Sequence, residues 1–149
     1  MKKGLLLILS VIISLNICAQ DAPKREFRGG WLHIVGNNSI KNMSRAEVQD
    51  WFTEALDSMQ VNGCNAVIFQ VRPCADAFYK SEVEPWSRYL SGTQGVAPAE
   101  EWDPLQFMVD ESHKRGMEIH AWCNPYRVTL TESDELCESH VYHKHPEIF

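Results

Sequence analysis

Residues 65–127 constrain the fold of this chain more than any other part of the sequence. Two apolar runs, at 66–73 and 118–127, each turn polar at the carboxyl end. Between them Asp103-Pro104 opens a helix that Gly116 ends. Two buried strands joined by a helix form a parallel βαβ unit with a right-handed crossover. In α/β proteins of this kind, ligands bind at the carboxyl ends of the strands.

The sequence before this unit adds one strand and one helix. A first strand is predicted over 27–35, where Gly29-Gly30 indicates a close backbone approach. A capping box of Ser44 and Glu47 opens a helix that ends at Asn62-Gly63. The segment 74–101 has no clean period, and its aromatic residues predict an ordered loop over the top of the sheet. The predicted order is therefore β-α-β-α-β.

The N-terminus has the pattern of a secretory signal peptide. Lys2 and Lys3 precede an apolar run at 4–17 that is too short for a membrane span, and Cys18-Ala19 supplies small residues. We assign 1–19 to the signal peptide and 20–149 to the mature domain, which predicts export to the periplasm or the extracellular space. A lipoprotein signal acylated at Cys18 is the alternative, although Ile17 is large for the position before such a cysteine.

The charge of the mature chain argues against several partner classes. Removing Lys2 and Lys3 from the 14 Lys and Arg leaves 12 basic residues against 20 Asp and Glu, a formal net charge of −8. An acidic chain without a basic stripe is not expected to bind nucleic acid or anionic membrane surfaces. A neutral or cationic ligand fits this charge better. The sequence does not indicate an oligomeric state.

Cysteine and histidine spacing gives little support for a metal site. The four mature cysteines contain no Cys-x-x-Cys pair, and small buried side chains are favoured over a bridge between Cys74 and Cys123. A His-x-x-His-x-His run at 140–145 could bind a metal, but its neighbouring residues argue against it. No glycine-rich phosphate loop is present. We therefore expect no metal and no cofactor.

Hydrogen-bonding side chains collect where the second and third strands end. Alternation along a strand places Ile68, Gln70 and Arg72 on one face, and it places His120, Trp122 and Asn124 on one face of the neighbouring strand. Burying such groups without partners is costly, which favours a ligand site over a satisfied polar layer. Trp31 and several other aromatic residues are expected at the same rim, where aromatic faces beside Arg and Asn suit a sugar. The candidate substrate-binding residues are Gln70, Arg72, Tyr79, Trp86, His120, Trp122, Asn124, Tyr126 and Arg127.

The acids near this rim do not form an evident catalytic pair. Glycoside hydrolysis uses two carboxyl groups about 5 to 5.5 Å apart for retention, or about 6.5 to 9.5 Å apart for inversion. Asp76 follows the second strand and is our one candidate for catalysis, ahead of Glu82 and Glu84. No second acid ends a strand, so the visible catalytic set is incomplete.

Several segments resemble glycosyl hydrolase-like family 10. The most specific are Gln70-Val71-Arg72-Pro73 and the segment 120–127, His-Ala-Trp-Cys-Asn-Pro-Tyr-Arg; the segments 27–32, 77–81, 84–87 and 102–105 also match in order. The resemblance implies a (β/α)₈ TIM barrel in the bacterial envelope that hydrolyses polysaccharide. Amino-sugar glycans such as peptidoglycan strands are the leading substrate class.

The length of the chain departs from that family. About 130 mature residues suffice for a small domain, whereas a closed barrel takes about 250. The expected fold is therefore α/β, the N-terminal portion (about three β/α units) of a truncated TIM barrel, with the family's main acids on later strands. Such a piece would leave its inner face, where we place Ile68, Phe69, Ile119 and Trp122, without opposing strands. A non-catalytic glycan-binding module and an inactive truncated fragment are the alternatives to a hydrolase.

Overall fold

A three-stranded parallel sheet forms the centre of the structure, a computed structural model that describes residues 26–36, 40–41 and 43–149. Its elements in chain order are β1 (Gly29–Leu32), α1 (Arg45–Val61), β2 (Ala66–Arg72), α2 (Arg88–Ser91), α3 (Pro104–Lys114), β3 (Glu118–Cys123) and α4 (Val141–Lys144), followed by a 3₁₀ turn at Pro146–Ile148. The strands lie side by side in the order β1-β2-β3. The strands and the two long helices confirm the predicted β-α-β-α-β order, and the short helix α2 lies within the segment predicted as a loop. The predicted signal peptide lies outside the described residues.

The two long helices begin and end where the sequence predicts. Ser44 caps α1, and the Glu47 side chain accepts a hydrogen bond from the Ser44 backbone N–H at 2.8 Å, which completes the capping box. Asp103 caps α3 by accepting hydrogen bonds from the first backbone N–H groups of the helix. Gly63 and Gly116 follow the helix ends with φ of 81° and 66°, a conformation that glycine adopts without strain.

β1 is shorter than the predicted strand at 27–35. After Leu32 the backbone N–H groups of Ile34 and Val35 donate to the Gln70 side chain at 2.9 and 3.1 Å instead of continuing the ladder. The predicted close approach at Gly29-Gly30 is present, because a Cβ on Gly30 would lie 2.7 Å from the Met59 sulfur of α1. Glycine therefore lets α1 pack directly on the edge strand.

Within the described residues, helices cover only one face of the sheet. On that face Phe52 of α1 packs edge-on against Phe69 of β2, with ring centroids 5.2 Å apart, and Ile119 packs against the same core. The expectation that Phe69 and Ile119 share the inner face with Ile68 and Trp122 is therefore wrong. The opposite face, which we call the inner face, leaves Trp31 61% and Phe27 56% exposed.

The long loop after β2 is ordered, as predicted. Ala77 pairs with Trp86 as an isolated parallel bridge, in which the Ala77 N–H donates to Pro85 O and the Ser87 N–H donates to Ala77 O, both at 2.8 Å. Phe78 and Tyr89 of this loop are buried in the core. The loop is therefore a fixed layer over the sheet edge.

The described cysteines and His140 show no sign of a metal site. None of the four described cysteines, Cys64, Cys74, Cys123 and Cys137, forms a disulfide; Cys74 is buried as expected, but Cys123 is exposed. His140 is buried, where its Nε2–H donates to Cys74 O at 3.0 Å and its Nδ1 accepts from the Tyr142 N–H at 3.2 Å. No three possible metal ligands converge anywhere in the described ranges. None of the helices that the structure describes has the length and apolar character needed to cross a membrane.

Candidate functional site

A pocket of about 350 Å³ opens at the carboxyl ends of the three strands on the inner face. Trp31 and Trp122 stand perpendicular to each other in it, with ring centroids 4.9 Å apart and an interplanar angle of 88°. We call it the strand-end pocket, and its lining residues are Trp31, His33, Val35, Gln70, Trp122 and Arg127. Three of the predicted binding residues, Gln70, Trp122 and Arg127, therefore meet at one place.

Gln70 links two strands of the pocket wall. Its residue is 1% exposed, and its Oε1 accepts the two backbone hydrogen bonds from the segment after β1. The carboxamide therefore fixes Val35 beside the pocket while it also forms part of the lining. These hydrogen bonds compensate the cost of burying a polar glutamine side chain at the end of the strand.

Asn124 orients the indole of Trp122. Asn124 Oδ1 accepts from Trp122 Nε1 at 2.9 Å, and Asn124 Nδ2 donates to Pro73 O at 3.1 Å. The asparagine thus ties the β3 end to the β2 end and holds the ring that forms one pocket wall. Asn124 is a predicted binding residue, and its contacts in this structure are those of a positioning residue.

Arg72 lies away from the strand-end pocket. The β2–β3 register shifts between Gln70 and Arg72, so Gln70 pairs with Trp122 but Arg72 pairs with Cys123. Because paired residues of a parallel sheet point to the same side, this bulge turns Arg72 off the face that carries Gln70. The prediction that Ile68, Gln70 and Arg72 share one face is therefore wrong for Arg72.

The Arg72 guanidinium instead holds the long loop. Its Nε donates to Glu84 Oε1 at 2.6 Å, and its Nη1 donates to the Asn124 carbonyl at 2.7 Å. Tyr79 lies near this ion pair. Burial is the main cause that raises the pKa of its phenol, and the nearby Glu84 carboxylate raises that pKa further. Glu84, the acid next to the sheet edge, is thus engaged in an ion pair.

The remaining candidates are spread around the edge of the sheet. His120 lies on β3 two residues before Trp122, farther from the strand end. Its ring packs edge-on against Phe27, with ring centroids 5.1 Å apart, and its Nε2 lies 3.2 Å from a Glu118 carboxylate oxygen. Tyr126 is 93% exposed. Trp86 lines a different groove, at the long loop. These three residues do not line the strand-end pocket.

Asp76, the nominated acid, is enclosed in the long loop. It is 0% exposed, and its two oxygens accept hydrogen bonds from the Cys74 N–H at 3.1 Å and from Gln94 Nε2 at 3.0 Å. Gln94 Oε1 in turn accepts from the Cys137 N–H at 3.2 Å. Burial raises the pKa of Asp76. A carboxyl group with no exposed surface cannot reach a glycosidic oxygen in this conformation, so these contacts give Asp76 a role in holding the loop.

His33 is a pocket residue that the sequence analysis did not single out. It lies two positions after Trp31, so the same alternation that placed Trp31 at the rim would have placed His33 there. It falls beyond the last paired residue of β1, directly before Ile34, whose backbone N–H donates to the Gln70 side chain. No carboxylate lies among the described residues that line this pocket.

The two perpendicular tryptophans and the polar side chains beside them lie at the strand ends of a parallel α/β sheet, which is the edge where β/α-barrel proteins carry their sites. Comparison with known proteins agrees, because the model of the glycosyl hydrolase-like 10 family matches residues 26–149. The chain belongs to that family, as the resemblance predicted.

The curated relatives are considerably longer than this chain. It is 44% identical over 147 residues to glycosyl hydrolase YngK of Bacillus subtilis (strain 168), covering 95% of this chain and 28% of that protein. It is 46% identical over 101 residues to glycosyl hydrolase DigH of Escherichia coli (strain K12), covering 67% of this chain and 23% of that protein. The chain therefore spans about a quarter of the length of these relatives. Its three strands with their helices form the N-terminal portion of a larger barrel.

Proposed function

We propose that this chain supplies part of the sugar-binding surface of a glycoside hydrolase that acts on an envelope or extracellular polysaccharide. The observation that carries the proposal is the perpendicular Trp31–Trp122 pair above Gln70 and Arg127 at the strand ends. Membership of the glycosyl hydrolase-like 10 family supports a carbohydrate as the ligand.

The chemistry of the pocket suits an amino sugar. Aromatic rings pack against the C–H faces of a pyranose. The polar residues that line the pocket beside the tryptophans can form hydrogen bonds with the pyranose hydroxyls. Arg127 can donate hydrogen bonds to the carbonyl of an N-acetyl group, and Gln70 holds the pocket wall beside it. We therefore propose a peptidoglycan-type glycan as the substrate.

In this proposal, this chain binds the sugar, and strands outside this chain supply the catalytic acids. Hydrolysis needs two carboxyl groups at the scissile bond. The pocket residues described here include none, and Glu84 is paired with Arg72. We place the catalytic acids on barrel strands outside this chain.

The proposed cellular location of the protein depends on residues 1–19. Their sequence supports export to the periplasm or beyond, with lipid attachment at Cys18 as the alternative. Mass spectrometry of the protein recovered from its native cells tests both, since cleavage after Ala19 and acylation of Cys18 give different N-terminal peptides.

Release of reducing ends from purified peptidoglycan glycan strands tests the function in the complete protein. We expect release from amino-sugar strands, little release from a neutral glucan, and a loss of about tenfold or more in the Trp122→Ala variant. Val61→Ala, an exposed change on α1 remote from the sheet edge, is the matched control and should retain activity. Equal activity of Trp122→Ala and Val61→Ala would refute the assigned site.

Glycan binding without hydrolysis is the second candidate function. The lack of a carboxylate among the described lining residues favours it. Glycan retention by the complete protein with no release of reducing ends would select this function over the first.

A further inference from the structure

The structure contains a second aromatic groove, of about 540 Å³, that shares no residue with the strand-end pocket. Trp86 and Trp102 form its aromatic surfaces, and Lys80, Pro98 and Glu100 contribute to its wall. We call it the loop groove. It lies on the long loop that follows β2, and therefore on the side of the sheet to which the strand ends point.

Neighbouring contacts hold the backbone of Trp86 and the ring of Trp102. Trp86 belongs to the bridge with Ala77, and its carbonyl accepts the Gly95 N–H at 2.8 Å. Trp102 packs edge-on against Phe107 of α3, with ring centroids 6.0 Å apart. Rigid aromatic surfaces bind a ligand with little loss of side-chain entropy.

The charges around the loop groove favour a neutral or cationic ligand. Lys80 is one basic residue against the carboxylates of Glu100, Glu101 and Asp103. Asp103 is engaged as the α3 cap, whereas the Lys80–Glu101 pair is 3.7 Å apart with side chains 74% and 95% exposed. An exposed pair of this kind contributes little to stability, so both groups are available to a ligand.

A series of contacts connects the loop groove to the strand-end pocket: Asn124, which binds the Trp122 indole, accepts a hydrogen bond at its carbonyl from Arg72. Glu84, which binds Arg72 at the end of β2, precedes Trp86 by two residues. Two residues of chain span at most about 7 Å. A polymer that leaves the strand-end pocket past Trp122, Asn124 and Arg72 therefore runs toward Trp86.

We infer that the loop groove is a second sugar-binding subsite, which takes another pyranose unit of the same polysaccharide chain by stacking on Trp86 and Trp102. The inference rests on the proposed function and extends it from one pocket to a cleft along the loop. Long oligosaccharides span both sites, whereas short ones need only the strand-end pocket.

Calorimetric binding of N-acetylglucosamine oligomers of three and six units to the complete protein tests this inference. We expect Trp86→Ala to weaken binding of the six-unit oligomer about tenfold, as loss of one aromatic stack predicts, and to leave the three-unit oligomer unchanged. Trp86→Phe, which keeps an aromatic surface and the loop packing, should restore most of the affinity. Val83→Ala, an exposed change in the same loop, is the matched control.

The outcomes separate this inference from the proposed function. If Trp86→Ala leaves six-unit binding intact, or weakens both oligomers equally, the second subsite is refuted. If the three-unit oligomer still binds and depends on Trp122 in that case, the proposed function stands without it. If the unaltered protein binds neither oligomer, both ideas fail together.

Discussion

Replacing Asn124 by alanine separates the positioning of the pocket wall from the stability of the fold. The side chain makes two hydrogen bonds, one from Trp122 Nε1 at 2.9 Å and one to Pro73 O at 3.1 Å. At about 0.5 to 1.5 kcal/mol each, their loss costs about 1 to 3 kcal/mol. Both bonds are part-buried, so water can replace them and we expect the lower half of that range. The backbone bond from the Asn124 N–H to Arg72 O is unaffected by the change.

The expected loss of activity is larger than the loss of stability. Without Asn124 Oδ1 the Trp122 indole can rotate away from Trp31, and misplacement of a binding group by about 1 Å can cost about 100-fold in rate. We expect kcat/KM on glycan strands to fall about 10- to 100-fold in the complete protein. Denaturant unfolding of the same preparation gives the stability change.

Asn124→Asp is the discriminating control. A carboxylate keeps an acceptor for Trp122 Nε1 but loses the donor to Pro73 O and places an oxygen against that carbonyl. This variant should therefore be no more stable than Asn124→Ala, yet more active. If activity follows stability in both variants, Asn124 does not act through Trp122 and the reasoning is refuted.

Three further predictions concern the loop and the sheet. Arg72→Ala removes the bonds to Glu84 and to the Asn124 carbonyl, so we expect it to lower turnover and to reduce the free energy of unfolding by about 1.5 to 3 kcal/mol; an unchanged midpoint in denaturant unfolding would contradict this. The raised pKa of Asp76 means that its neutral form stabilises the fold, an effect present below the ordinary Asp pKa of about 3.9 and lost as pH rises through the folded pKa. Thermal melts of Asp76→Asn should therefore depend less on pH in the window just above pH 4, and an unchanged slope there would contradict the assignment. Residues 20–149 expressed alone should be aggregation-prone or molten, because the inner face exposes Trp31 and the free edge of β3 has no partner strand within the described residues; a monodisperse monomer with a sharp melt would contradict this.

The sequence determined the elements and their order because their signals are local. Ser44 with Glu47, and Asp103 with Pro104, fix helix starts through atoms no more than three residues apart. Apolar β-branched runs predicted β2 and β3 to within a few residues of their observed ends. The positions of Gln70 and Trp122 in the sequence place them near the strand ends, and alternation predicts the face on which each side chain lies. Alternation holds as long as the register is regular.

Only the tertiary structure decided how these side chains are used. One extra residue at the β2 bulge turned Arg72 toward Glu84, and no local pattern predicts where a register shift falls. Asp76 received its partners from Gln94, 18 residues away, so burial and long-range hydrogen bonds set its role rather than its place after a strand. Sequence spacing fixes which way a strand points, but contacts between distant segments fix which polar groups are already satisfied and which remain free for a ligand.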